Sequence, residues 1–135
     1  MRYEFCTAVQ QQTLPVVLSG CDVIAKAKTG TGKTIAFLLP IIERIAAATA
    51  PPNSVLALVI SPTRELASQI RAECELLISF HKPRLTSFVV VGGTNIKSDL
   101  SALRSHPPTV LVATPGRLND LLHNHGMQPL FHNLY

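Results

Sequence analysis

Two kinds of apolar pattern alternate along the chain. Short β-branched runs occur at Asp22 to Ala25, Val55 to Ile60, Ser87 to Val91 and Thr109 to Ala113. Each has the length of a buried strand. Between them the spacing becomes helical. Ile35, Leu38, Leu39 and Ile42 fall at i, i+3, i+4 and i+7, one stripe of a helix. Leu66, Ile70, Cys74 and Leu77 make a second stripe, and Leu100 with Leu103, then Leu118 with Leu121 and Leu122, make shorter ones. Thr13-Leu14-Pro15 stands near the end of an opening helix, and Pro40 is expected to kink or end the helix after the first strand. The stretch from Ala46 to Pro52, with its Pro51-Pro52 stop, reads as a loop between units. Strand and helix in regular alternation predict an α/β fold, a parallel sheet with helices on both faces.

Composition narrows this picture. In 135 residues, 47% are apolar and only 15% charged, which excludes a disordered tail and leaves one domain or part of one. No apolar run reaches the roughly 18 residues that a membrane span needs. The opening Met1-Arg2-Tyr3-Glu4 lacks the shape of a signal peptide, so an intracellular protein without a membrane role is expected. The net charge of +4 favours a polyanionic partner. Cys6, Cys21 and Cys74 are odd in number and form no CxxC, and read as reduced, packed thiols. His123, His125 and His132 have no cysteine beside them at a zinc-binding interval.

The strongest chemical signal follows the first predicted strand. Ala27-Lys28-Thr29-Gly30-Thr31-Gly32-Lys33-Thr34 opens the first amphipathic helix in the form of a phosphate-binding loop, with Ala27 where the strict pattern has Gly. Gly30 and Gly32 let the chain curl with its N–H groups inward, and the helix start adds unsatisfied donors and a positive dipole end. Lys33 is a point charge for the β- and γ-phosphates, and the Thr34 hydroxyl is a ligand for Mg²⁺ held with the nucleotide. Binding of a nucleoside triphosphate follows; the class of enzyme does not.

Three later segments choose the class. Pro62-Thr63-Arg64-Glu65-Leu66-Ala67 follows the second predicted strand, Gly92-Gly93 the third, and Thr114-Pro115-Gly116-Arg117 the fourth. Each also has a plain structural reading: Thr63 as a helix N-cap, the glycine pair as a turn, and Thr114-Pro115 as a helix entry with Pro at its first position. With the phosphate loop, and in this order, they resemble the N-terminal half of the DEAD-box RNA helicases, motifs I, Ia, GG and Ib. Thr7-Ala8-Val9-Gln10 is similar to that family's Q motif, which implies adenine recognition by Gln10. The resemblance implies a P-loop NTPase (RecA-like) domain, ATP with Mg²⁺, and RNA held through its backbone by Pro62, Thr63, Arg64, Gly92, Gly93, Thr114, Pro115, Gly116 and Arg117. In an open α/β sheet, ligands bind where strands end, and all four segments leave strands at that end. Their residue types suit phosphate oxygens and offer no base-edge code, so sequence-independent gripping is expected.

The family's Asp-Glu-Ala-Asp and Ser-Ala-Thr motifs do not occur in these 135 residues, and the second RecA-like domain with its arginine finger is absent. The expectation is therefore a piece of a helicase domain, from the Q motif through motif Ib, inactive as an ATPase by itself and with an exposed sheet edge. Cys6 stands where the Q motif has Pro or Met, Arg2 where it has Gly, and the upstream aromatic that stacks on adenine would precede residue 1. Ala25-Lys26-Ala27-Lys28 and Ala36-Phe37-Leu38-Leu39-Pro40 look similar to fungal and plant helicases, some of them mitochondrial. Three alternatives stay open: a DNA-acting helicase of the same superfamily, a non-catalytic nucleotide- or RNA-binding module, and a P-loop kinase, which explains neither motif Ia nor Ib.

Overall fold

A computed structural model describes residues 5–48, 51, 54–81 and 85–134. The chain divides into two compact units, Met1–Ala47 and Ala48–Tyr135.

The first unit is a helix pair and the loop between them. Helix α1 (Ala8–Leu18) opens with a capping box, in which Thr7 and Gln10 satisfy each other's backbone N–H groups. Pro15 lies inside it, one turn before its end. Helix α2 (Lys33–Ala47) packs on α1 and buries Ala36, Leu38, Ile42 and Ile45. The strand expected at 22–25 fails here, and so does an end of the helix at Pro40. Pro40 neither ends nor interrupts α2, which runs on for seven residues with Pro40 buried. Its missing N–H removes one hydrogen bond, and the apolar face on both sides of it carries the helix through. Residues 21–28 form no strand: they have no regular secondary structure and are mostly exposed, and Ile24 is fully so. A β-branched run becomes a strand only with a ladder partner for its N–H and C=O groups.

The second unit is a three-stranded parallel sheet. Its strands are β1 (Ala57–Ile60), β2 (Ser87–Val90) and β3 (Val110–Ala113), in the spatial order β1-β3-β2. Helix α3 (Arg64–Ile78) connects β1 to β2, α4 (Ile96–Ser105) connects β2 to β3, and α5 (Pro115–Asn124) follows β3. A 3₁₀ turn spans Gln128–Phe131. Central β3 is buried at all four residues, as a strand covered on both faces must be. Leu111 and Ala113 join Leu103 of α4 and Leu118 and Leu121 of α5 in one cluster with Val55, Val90 and Met127. Val110 and Val112 point the other way by strand alternation, and α3 packs on β2 and β3.

The buried stripe of α3 is Ala67, Ile70, Cys74 and Ile78, which keeps Ile70 and Cys74 of the predicted stripe and replaces Leu66 and Leu77 by their following neighbours. Leu66 is part-exposed at the helix start, where its N–H serves the cap. Cys74 is buried as expected, whereas Cys6 and Cys21 are exposed, because they flank α1 outside its packed face. The predicted loop from Ala46 to Pro52 lies partly outside the described residues; α2 extends through Ala47. Arg2 lies outside them too.

Candidate nucleotide loop and nucleic-acid cleft

In the first unit the loop from Ala27 to Thr34 curls through left-handed backbone at Gly30 (φ 75°) and Gly32 (φ 82°). Such values favour glycine over residues that carry a Cβ. Lys33 folds back into the curl, its Nζ donating to the carbonyls of Ala27 and Lys28. Thr31 Oγ1 donates to the Lys28 carbonyl at 2.8 Å. Thr29 and Gly30 are exposed at the rim, and Thr34 is half-buried in the first turn of α2, which has no acidic residue.

Gln10 is tied to this loop rather than projecting from it. Its Oε1 accepts from the Thr7 N–H at 2.9 Å, and its Nε2 donates to the Gly32 carbonyl at 3.2 Å. Only 7% of the residue is exposed. The Gly32 carbonyl also accepts the Ala36 N–H at 3.1 Å, so one peptide group joins both helices of the unit. A Cβ on Gly32 would stand 2.5 Å from Gln10 Nε2 and 3.3 Å from Thr7 Oγ1.

In the second unit the ends of all three strands open into one cleft of about 460 Å³, lined by Pro62, Thr63, Arg64, Glu65, Gly92, Thr114 and Gly116. Thr63 caps α3, its Oγ1 accepting the Leu66 N–H at 3.2 Å. Thr114 holds the same position on α5, with Pro115 in the first turn, but makes no side-chain cap bond. Both structural readings of these threonine segments therefore hold alongside the cleft, since a helix start is also a site for anions. Gly92 and Gly93 form a turn, Gly93 at φ +84°, and the Arg64 guanidinium lies on it: a Cβ on Gly93 would stand 2.4 Å from Arg64 Nη1. Gly116 has open space where a Cβ would be, which leaves the cleft mouth clear.

Arg117 is the exception. Its side chain is 7% exposed, with Nε donating to the Val91 carbonyl at 3.0 Å and Nη2 to the Thr94 carbonyl at 2.7 Å and Thr94 Oγ1 at 3.1 Å. Its ion-pair partner is Asp99, Nη1 to Oδ2 at 3.6 Å, and not Asp120, which lies three residues on in the sequence. Sequence reasoning passed over Asp99 and Thr94. A signal was present: Asp99 precedes Leu103 by four residues on α4, and Arg117 precedes Leu121 by four on α5, so both lie on buried stripes. Among the described residues no group of three or more His, Cys, Asp or Glu gathers in a metal-binding arrangement, and no helix is long and apolar enough to cross a membrane.

Comparisons with known proteins bear on these features. Residues 7–134 match the profile of the family described as DEAD/DEAH box helicase. DEAD-box ATP-dependent RNA helicase 26 of Oryza sativa subsp. japonica is 52% identical over 122 residues, covering 90% of this chain and 22% of that protein. The mitochondrial ATP-dependent RNA helicase MSS116 of Phaeosphaeria nodorum is 43% identical over 99% of this chain and 25% of its own length. The solved DEAD-box helicase Mss116 bound to ssRNA and UDP-BeF superposes with a TM-score of 0.88 at 36% identity, covering 99% of this chain and 27% of that one. The chain thus spans about a quarter or less of the length of these curated relatives.

Proposed function

Because the chain belongs to the DEAD/DEAH box helicase family, we propose that it supplies the nucleotide loop and the first RNA-facing segments of an ATP-dependent RNA helicase. The observation that carries this reading is the cleft of the second unit, where motifs Ia, GG and Ib converge from three strand ends. Two helix starts, one of them capped by Thr63, a glycine turn and the Arg64 guanidinium line it, a donor set suited to phosphate oxygens. The relatives named for RNA helicase activity and the solved relative holding ssRNA support RNA as the strand.

The residues of the first unit fit a nucleoside triphosphate. Two left-handed glycines, a helix start without acidic residues and a lysine already in the curl form an anion cradle. Lys33 exchanges the carbonyls of Ala27 and Lys28 for phosphate oxygens when nucleotide enters. Thr34 is the hydroxyl that would hold Mg²⁺ alongside those oxygens, the cation supplying charge neutralisation during phosphoryl transfer. Gln10 faces adenine only by releasing the Gly32 carbonyl or by sharing its amide. We place residues 1–135 from the Q motif through motif Ib of the first RecA-like domain, in an intracellular protein, with hydrolysis depending on acidic and arginine groups supplied elsewhere in the helicase.

The test is direct. Titration of the chain with a fluorescent ATP analogue and with labelled single-stranded RNA is expected to show weak binding of both, with nucleotide binding lost in Lys33→Met and no ATP turnover. RNA-stimulated ATPase by the chain alone would overturn the division of labour, and absence of RNA binding at low salt would overturn the assignment of the cleft.

A further inference from the structure

We propose that Asp99 is a positioning residue for the cleft: with Thr94 it holds Arg117 inward, and Arg117 in turn clamps the Gly92–Gly93 turn by the carbonyls on either side of it. The proposal rests on the RNA-binding reading of the cleft and assigns the two arginines of motifs Ia and Ib different work.

The geometry is specific. Arg117 donates to the Val91 carbonyl and to the Thr94 carbonyl, the groups immediately flanking Gly92-Gly93. Two glycines in succession give this turn the most mobile backbone the chain can offer. A planar guanidinium reaching both carbonyls fixes its two ends at a constant separation, which a lysine ammonium could not do. On the cleft side the same turn carries the Arg64 guanidinium. The turn is therefore held between two cations, one exposed to the cleft and one enclosed behind it.

An enclosed guanidinium needs a counter-charge, and Asp99 supplies it at 3.6 Å with its own side chain 9% exposed. Thr94 Oγ1 links the set: it accepts from Arg117 Nη2 at 3.1 Å and lies 3.2 Å from Asp99 Oδ2 and 2.9 Å from the Val91 carbonyl, sharing its one proton between these two acceptors. Asp99 sits in the first turn of α4, where the helix dipole also favours a carboxylate. The exit of β2, the start of α4 and the start of α5 thus meet on one ion pair. A pair of this kind contributes little net stability beside an apolar replacement of both partners, whereas removing one partner strands a buried charge. That difference separates positioning from folding.

The experiment uses the full 135-residue chain. Asp99→Leu with Arg117→Met removes both charges together, so that the unit is expected to keep its far-UV circular dichroism and its cooperative melt. RNA affinity should fall by about tenfold, the effect of misplacing a contact surface. The slope of log affinity on log salt should stay unchanged, because Arg117 touches no phosphate, whereas Arg64→Gln should lower that slope by about one. Amide exchange at Gly92, Gly93 and Thr94 should accelerate in the double variant. A folded double variant with wild-type RNA affinity overturns the proposal, as does a salt slope reduced like that of Arg64→Gln, which would make Arg117 a direct phosphate contact. If the wild-type chain binds no RNA, the function of the cleft fails separately, and unchanged exchange at the glycine turn then decides against the clamp itself.

Discussion

Gly32 shows at single-residue scale how closely the nucleotide loop is fitted. Its left-handed backbone excludes a side chain for conformational reasons, and a methyl group would meet the Gln10 amide at 2.5 Å. Gln10 cannot simply swing aside, because its Oε1 is engaged in the capping box of α1. Gly32→Ala is therefore expected to destabilise the first unit by about 1–2 kcal/mol from backbone strain alone and to abolish nucleotide binding; a thermal melt and a nucleotide titration check the two effects. Cys74 illustrates a different environment. Burial, reinforced by the nearby Glu75 charge, pushes its thiol up to about 11 from 9.0. The folded state holds this proton more tightly than the unfolded one, so its share of stability is complete below about pH 9 and is lost as pH rises from there towards 11. At pH 8, iodoacetamide should modify Cys6 and Cys21, which are exposed, and leave Cys74 intact until denaturant is added. Mass spectrometry of the alkylated chain counts the modified thiols, and a third adduct under native conditions would contradict the packing of α3.

At the scale of elements, the two helix starts that border the cleft look alike in sequence and differ in structure. Thr63 Oγ1 bonds the Leu66 N–H, while Thr114 makes no cap bond to α5, whose entry is shaped by Pro115 instead. Thr63→Ala should cost about 1 kcal/mol of stability and Thr63→Ser should restore it. Thr114→Ala should leave the melting temperature nearly unchanged, yet both alanine variants should weaken RNA binding. Equal destabilisation by the two would show that Thr114 caps its helix after all. Sequence periodicity revealed α2 to α5 and the three paired strands because each depends on a stripe or run of apolar residues that one neighbouring layer buries. It misjudged residues 22–25 as a strand and Pro40 as an end to α2, for opposite reasons. The β-branched run at 22–25 has the right local composition but no ladder partner among the described residues, whereas Pro40 has the wrong composition for a helix interior and is carried by the apolar contacts around it. Motif residues were legible at the cleft because their spacing reports strand ends. The α4 stripe marks Asp99 as buried, but a lone carboxylate on a helix gives no sign of which arginine, here eighteen positions onward, neutralises it.

For the sheet as a whole, strand order is a long-range property that local patterns do not encode. The order β1-β3-β2 places the most buried strand, Val110–Ala113, between two partners and, among the described residues, leaves β1 and β2 each paired on one side only. An unpaired strand flank is a template for another chain, and β1 ends in Ile60 with 56% of its surface exposed. Burial of such a side chain against a second copy would gain roughly 1 kcal/mol or more, beside the ladder hydrogen bonds that an open strand flank offers. The net charge of +4 opposes this only weakly at physiological salt, where repulsion beyond about 8 Å is screened. The chain should therefore scatter light increasingly with concentration and with salt. Ile60→Lys places a charge on the flank of β1 without touching the buried alternation of Ala57 and Val59, so it should suppress that scattering while leaving circular dichroism unchanged. Static light scattering across a concentration series, at low and high salt, compares the two proteins. If Ile60→Lys aggregates as readily as the wild type, association proceeds through β2 or the exposed segment at residues 21–28, and the same substitution strategy moved to Ile24, which is fully exposed, then separates those two routes.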